Sequence, residues 1–373
     1  MQRTPEENDE ILSTLMLSRW QGLTQSQALA LIDYYGSARA AVADTHPANS
    51  TWATLRADRY AMQTARDAAL REMDFCGEHH IRVLPCTSSD YPLLLQSSEV
   101  IDRPLQLFSC GCASLNRRHI ISVVGTRNIS EYGKQVCEKL MSELAKKIPD
   151  LLVISGLAYG VDIHAHRACL VNNIDTAAVL AHGLDRIYPR NHRATAEQMV
   201  LHGALLTEYF SGTVPDKGNF VRRNRIVAGM SSATLVVESA EQGGSLITAR
   251  IADSYNRDVL AVPGRITDTT AVGCNNLIRR NVAQLVTSAD DILDALNWKA
   301  EANVPQERQL FPEFSVEQEK VLGALRGADD MSIDQLSQAL QMSLSQLTDI
   351  LFDLEDKDAV KRMPGNRYRV RGS

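Results

Sequence analysis

At 373 residues, with 44% hydrophobic and 23% charged residues and a formal net charge of -6, the chain has an ordinary globular composition and room for two or three domains. No apolar stretch approaches the ~20 residues that cross a bilayer, and the start MQRTPEENDE lacks a signal-peptide core. A cytoplasmic protein without membrane insertion is expected. Seven scattered cysteines with no C-x-x-C pair argue against a disulfide framework or a zinc site. His164 and His166, two positions apart, would point about 200° away from each other on a helix. No metal and no cofactor are expected.

Residues 1–78 alternate helical apolar spacing with the turns QGLT and YGS, which predicts a small all-helical module. From 79 to 298 one pattern repeats: a short Val/Ile-rich run, a glycine-containing turn, then a helical stretch. The runs lie at 120–124, 151–155, 176–181, 204–209, 233–239, 258–264 and 283–287. They are apolar throughout rather than alternating, as in strands buried on both faces, and the segments between them are long enough for crossover helices. The fold class is α/β, an extended Rossmann-like, doubly wound parallel sheet. Residues 299–313 lose periodicity and read as a linker. In 314–373, three helical patterns precede two short strands around a Pro-Gly-Asn turn, which describes a winged helix. Its third helix carries Asp349, Asp353, Glu355, Asp356 and Asp358 against Lys357. Those acids would oppose a phosphate backbone, so a protein contact suits that helix better than duplex reading.

Ligands of open parallel sheets collect at the carboxyl ends of the strands, so the turns there are the candidates. After the first strand come Gly125, Thr126 and Arg127, with Ser130 placed to cap the next helix. After the second, Gly156 and Gly160 are expected to leave backbone amides free for an anion at a helix start. Gly243, Gly244 and Ser245 open a third such helix. Past the fourth strand, KGNFVRRNR gathers Lys217, Arg222, Arg223 and Arg225 around Phe220 with no acid. A charge run can be a merely solvated helix start. Several glycine turns and two sources of arginine on one rim point instead to a phosphate-rich ligand. G-x-G-x-x-G with its distal acid, G-x-x-x-x-G-K-[ST] and G-x-S-x-G are all absent. An aromatic among cations fits single-stranded nucleic acid, the ring stacking a base while the cations neutralise phosphates.

The stretches VVGTRNISEYG, SGLAYGVDIHAH, GLDRIYPRNH, TEYFSG, NFVRRNRIVAGMSSATLVVESAEQGGSLITARIA, AVPG and GCNNLI occur in order and resemble the DNA-processing protein A family (DprA, also called Smf). The flanks resemble that family's accessory helical and winged-helix modules. The resemblance implies a non-enzymatic protein that binds single-stranded DNA, dimerises, and passes the strand to the RecA recombinase in natural transformation. It places DNA contacts on Arg127, on Arg190 of the Y-P-[KR] segment, and on Lys217, Phe220, Arg223, Asn224 and Arg225. It also implies a homodimer formed late in the Rossmann domain. Leu277 and Ile278, adjacent on a short helix, cannot both face one core, so one of them is expected at the surface there. The chain departs from the family at Val221 (usually proline), His192 (often asparagine), Asn256 (glycine) and Asn281-Val282 (Gly-Ala). None of these removes a cation or the aromatic.

Two other readings stand beside this one. Phosphoribohydrolases of the lonely-guy type share the family's fold and use a P-G-G-x-G-T-x-x-E loop. Here QGGSLITAR has Gln242 for the proline, Leu246-Ile247 for Gly-Thr and Arg250 for the catalytic glutamate, which leaves acid-base chemistry there without its carboxylate. A winged-helix regulator is the third reading.

Overall fold

The computed structural model describes residues 4–47, 49–300, 315–326, 330–356, 359–363 and 366–370. The chain forms two compact units, Met1–Ala302 and Asn303–Ser373. The expected linker at 299–313 lies almost wholly outside the described residues.

The first unit begins with five helices: α1 (Pro5–Arg19), α2 (Gln25–Tyr35), α3 (Ala38–Ala43), α4 (Ser50–Ala57) and α5 (Arg59–Glu78). Thr4 and Thr24 open α1 and α2 with capping boxes, their side chains satisfying amides that no helical carbonyl can reach. Then follow β1 (Arg82–Pro85), β2 (Gln106–Gly111), β3 (His119–Val124), α6 (Glu131–Lys147), β4 (Leu151–Ser155), α7 (Val161–Val171) and β5 (Asp175–Val179). The unit continues with α8 (Arg193–His202), β6 (Gly203–Thr207), α9 (Lys217–Gly229), β7 (Ala233–Val236), α10 (Ser245–Ser254), β8 (Asp258–Ala261), α11 (Val272–Arg279), β9 (Gln284–Leu285) and α12 (Ala289–Ala295).

The nine strands make one sheet in the order β1-β2-β6-β5-β4-β3-β7-β8-β9. From β6 to β9 all neighbours are parallel, whereas β1 and β2 add an antiparallel edge beside β6, Phe108 facing Thr207. Side chains alternate across the sheet: Ile120, Ile154 and Val179 pack on one face, Ile121 and Val153 on the other. Each face is covered by helices, which is why the strand sequences are apolar throughout. The five N-terminal helices share the first of these clusters, so sheet and helices form a continuous core. The chain steps outward from β3 through β4 and β5 to β6. Helix α9 then carries it back to β7, on the far side of β3. That reversal opens a crevice at the carboxyl ends of β3 and β7.

Two of the family departures keep their turns. Asn256 and Asn281 have φ of 53° and 56°, the left-handed region that glycine enters freely and that asparagine tolerates best among other residues. Leu277 and Ile278 differ from expectation. Leu277 is buried, and Ile278, half-buried, packs on the same cluster. Past Asn281 the chain doubles back, the amides of Val282 and Ala283 both donating to the Leu277 carbonyl at 3.0 and 3.2 Å.

The second unit contains α13 (Val316–Arg326), β10 (Met331–Ser332), α14 (Ile333–Leu340), α15 (Leu344–Asp356), β11 (Val360–Met363) and β12 (Arg367–Val370), with strand order β10-β12-β11. It has its own core of Val321, Leu322, Leu336, Leu347, Leu351, Leu354 and Tyr368. This is a winged helix, three helices and a hairpin, with β10 a short third strand. Residues 364 and 365 of the hairpin turn lie outside the described residues. On α15, Asp349, Asp353 and Glu355 are exposed.

Candidate nucleic-acid interface

Helix α9 begins at Lys217, its first turn capped by Asp216, whose carboxylate accepts from the Gly218 amide at 2.7 Å. Lys217, Phe220 and Asn224 recur at helical spacing and share one side. Lys217 is exposed, and Phe220 and Asn224 are half-buried. The Arg127 guanidinium lies 5.5 Å from the centre of the Phe220 ring. On another side the Tyr188 ring sits 5.9 Å from Phe220, tilted by 52°. Two loops, after β3 and after β5, thus converge on one aromatic ring of α9. Arg190, two residues beyond Tyr188, is exposed. A ring beneath a cation and beside a second ring is a platform on which a base can stack while adjacent cations take phosphates.

Arg223 and Arg225 lie elsewhere. Arg223 is 4% exposed, and its Nη1 donates to the carbonyls of Gly156 (2.8 Å) and Val179. A Cβ on Gly156 would stand 2.2 Å from that guanidinium, so this glycine makes room for the arginine rather than for a ligand. Burial pulls the Arg223 pKa down, opposed chiefly by Asp162, itself buried and pushed up by desolvation against the pull of Arg223. Arg225 is 6% exposed, donates to Glu208 at 2.6 Å and to Gln25 of α2 at 3.4 Å, and has Asp102 3.6 Å away. Both arginines are committed to internal partners: Arg223 seats α9 on the sheet, and Arg225 ties it to the N-terminal helices. Arg222, exposed, faces away from Phe220 into a cleft of about 440 Å³ lined also by Arg19, Gln25, Glu208 and Tyr209.

The expected free amides differ as well. The Asp162 carboxylate accepts from the amides of Gly156 (3.2 Å) and Ala158 (3.4 Å), so the turn after β4 already holds an anion of its own. At the start of α6, Ser130 caps the Gly133 amide, and Glu238 accepts from the Ser130 amide (2.8 Å) and hydroxyl (2.6 Å). Gly125 and Thr126 shape this turn, the Thr126 amide donating to the Glu238 carbonyl at 2.7 Å. Gly160, at φ 77°, is pressed against it: a Cβ there would lie 2.0 Å from the Thr126 carbonyl oxygen. Of the three glycine-rich helix starts, α10 alone has no acid seated on it. Gly244 is exposed there without a side-chain cap, the Gly243 amide donates to the Ala240 carbonyl at 3.1 Å, and Ser245 is buried, donating to Ser239 at 2.9 Å.

Reading the sequence missed Tyr188 and Tyr159. Tyr188 directly precedes Pro189 in the segment picked for Arg190, so its signal was at hand. Tyr159, exposed, meets His192 edge-on at 4.8 Å, and the His192 ring is held by the Leu157 carbonyl at 2.8 Å. Asp162 and Glu238, the two acids that fill the turns, were missed too. Asp162 closes its glycine turn from six positions along the chain, whereas Glu238 reaches Ser130 across 108. His166 is buried against Thr176 at 2.7 Å, with burial pulling its pKa down to about 3, and faces no ligand site. Among the described residues no group of three or more His, Cys, Asp or Glu could hold a metal ion.

A mostly parallel, doubly wound sheet with a cation-aromatic cluster on its carboxyl rim, followed by a winged helix, defines a class of DNA-handling proteins. Residues 82–297 match the family described as DNA recombination-mediator protein A, and residues 305–366 match the DprA winged helix domain. The chain belongs to the DNA recombination-mediator protein A family and has a DNA-processing, recombination-mediator role. Among its relatives, Protein Smf of Synechocystis is 31% identical over 342 residues, 81% of this chain and 84% of that one. The DNA processing protein DprA of Bacillus subtilis is 40% identical over 220 residues, 59% of this chain and 72% of that one. Among solved structures, the X-ray structure of DprA from Streptococcus pneumoniae superposes with a TM-score of 0.64 at 31% identity, covering 79% of this chain and 98% of that one. The Helicobacter pylori protein, whose structure is described for its single-stranded DNA binding mode, gives a TM-score of 0.52 at 28% identity, covering 58% of this chain and 95% of that one.

Proposed function

We propose that this protein binds single-stranded DNA on the carboxyl rim of its sheet, without an enzymatic step, and hands the strand to a RecA-type recombinase as in natural transformation. The observation that carries the reading is the convergence of Arg127 and Tyr188 on Phe220, with Lys217 and Arg190 exposed on the same loops and helix. The strand's phosphates lie along Arg127, Arg190 and Lys217, and a base stacks on Phe220 or Tyr188. Arg223, Arg225, Gly156 and Ser130 act beneath, by fixing the loops and α9. The H. pylori relative supports the ligand, since its reported binding mode is for single-stranded DNA.

The same reading includes a cytoplasmic homodimer whose contact lies at the β9 end of the sheet. There the two-residue strand β9 is an edge, Leu285 on it is 46% exposed, and Ile278 is half-buried nearby in the chain. A two-fold contact there would set two rims in one particle and lengthen the track for a strand. One gel-shift series tests the ligand: binding to a single strand well ahead of a blunt duplex supports the reading, and equal or reversed preference contradicts it.

A further inference from the structure

Two aromatic residues at the rim, Tyr159 and His192, have no part in the contacts proposed above. Tyr159 stands in the turn between β4 and α7, and the residues around it are held one by one. The Asp162 carboxylate accepts from the amides of Gly156 and Ala158. Leu157, fully buried, has φ of 55°, a left-handed conformation that leucine adopts only where its surroundings enforce it. Its carbonyl accepts from His192 Nδ1 at 2.8 Å, which fixes both the tautomer and the orientation of that ring. Gly160, at φ 77°, is pressed on the loop after β3, where a Cβ would lie 2.7 Å from Arg127 Cα. The backbone on both sides of Tyr159 is therefore fixed, while its ring is 45% exposed.

The Tyr159 ring meets His192 with centroids 4.8 Å apart and planes at 71°. A single edge-to-face contact covers at most one face of the tyrosine ring and leaves the other open. The loop after β5 thus touches two rings, with Tyr188 against Phe220 and His192 against Tyr159. The loop after β3 does the same, its Arg127 guanidinium lying over Phe220 while its backbone meets Gly160 beside Tyr159. Phe220 and Tyr159 are joined through the two loops that carry Arg127 and Arg190. The chain departs from the family at His192, and the asparagine often found there would offer Tyr159 no ring. Exposure alone is no signal, since Tyr34 and Tyr60 on the N-terminal helices are more exposed. What marks Tyr159 is the cation-bearing loops it abuts.

We propose that Tyr159 is a second stacking station for the single strand, taking a base further along from the one on Phe220, with Arg127 on the backbone between them. The proposal rests on the reading of the rim as the single-strand site and adds a residue that sets its specificity. A ring stacks on any base, so Tyr159 confers no sequence preference. It favours single strands over duplex, because a paired base must leave its stack to reach the ring.

The test uses the full chain and fluorescence anisotropy with two labelled strands of equal length, one of oligodeoxythymidine and one of abasic residues. Tyr159→Ala is expected to weaken binding to oligodeoxythymidine roughly 5- to 100-fold, the range for one stacked base, with the salt slope unmoved. On the abasic strand it should bind as the wild type does, because no base is there to stack. Tyr159→Phe should keep the wild-type affinity. Should the alanine variant melt early, Tyr159→Trp gives a second reading, its added emission being quenched by oligodeoxythymidine and not by the abasic strand. Unchanged affinity of Tyr159→Ala for oligodeoxythymidine, an equal loss on both strands, or emission of Tyr159→Trp indifferent to the strand would each overturn the proposal. Failure of the rim reading itself would look different, since Phe220→Ala would then also leave binding unchanged; if Tyr159 alone is wrongly assigned, Phe220→Ala weakens binding and Tyr159→Ala does not.

Discussion

On the solvent side of α9, Lys217 and Phe220 stand with Arg127 and Tyr188 around an open ring; on its inner side, Arg223 and Arg225 are enclosed by carbonyls and carboxylates. Both sides come from one stretch of nine residues, KGNFVRRNR, in which every charged residue has the same sign. The difference is made by what the rest of the chain brings to each side. Gly156 and Val179 offer carbonyls beneath the helix and Asp162 a carboxylate, whereas above it only loop tips arrive. A basic cluster can therefore be half ligand site and half foundation. The buried half holds the rim in shape, and the open half meets the ligand.

Substitutions on the two sides should fail in different ways, and the largest effect belongs to the buried layer. Arg223→Ala strands Asp162 and two carbonyls in the interior, and urea unfolding should show a loss of about 3 to 5 kcal/mol. An unchanged midpoint, with DNA binding lost, would move Arg223 back to the ligand side. Arg225→Ala removes charged hydrogen bonds to Glu208 and Gln25 at a less enclosed site, and about 2 to 3 kcal/mol of stability should go with them. In that variant the salt slope of single-strand binding should match the wild type at a temperature where the protein is folded. A reduced slope would mean that Arg225 reaches a phosphate after all.

The open side gives smaller effects that leave folding intact. Phe220→Ala should lower single-strand affinity by roughly 1 to 3 kcal/mol with thermal melting and salt slope unmoved, because stacking carries no counterion. If the domain unfolds instead, Phe220 belongs to the core. Smallest in stability terms is Arg127→Ala, which should reduce the slope by about 0.7, the share of one single-strand phosphate, at unchanged melting temperature.

The parallel strands β3 to β8 were legible because a strand buried on both faces must be apolar along its whole length; β9, two exposed residues at the edge, is not such a strand. The antiparallel edge β1–β2 was not: Gln106, Ser109 and Gly111 interrupt its apolar pattern, and it pairs with β6 about a hundred residues later. The rim was legible as a set of turns, since each glycine announces one. What fills the turns was not: Asp162 bends back onto the Gly156 and Ala158 amides of its own turn, and Glu238 reaches Ser130 across 108 positions. The same reason hid the burial of Arg223: its sequence reads as surface, and the carbonyls that accept from it lie 67 and 44 positions away. Helix α11 shows the converse. Leu277 and Ile278 suggested an exposed residue, and instead Leu277 is buried and Ile278 half-buried where the chain returns at Asn281.

The most direct measurement of the rim account is the salt dependence of single-strand binding by the wild-type protein, followed by anisotropy over a series of salt concentrations. With Arg223 and Arg225 enclosed, three cations remain as the proposed phosphate contacts: Arg127 at the ring, and the exposed Arg190 and Lys217. At about 0.7 per phosphate they set a log-log slope near -2 for each subunit engaged. A slope near -2, or a multiple of it in an assembly, is the predicted result. A flat response would contradict the account, because the strand would then be held by something other than the cations around Phe220.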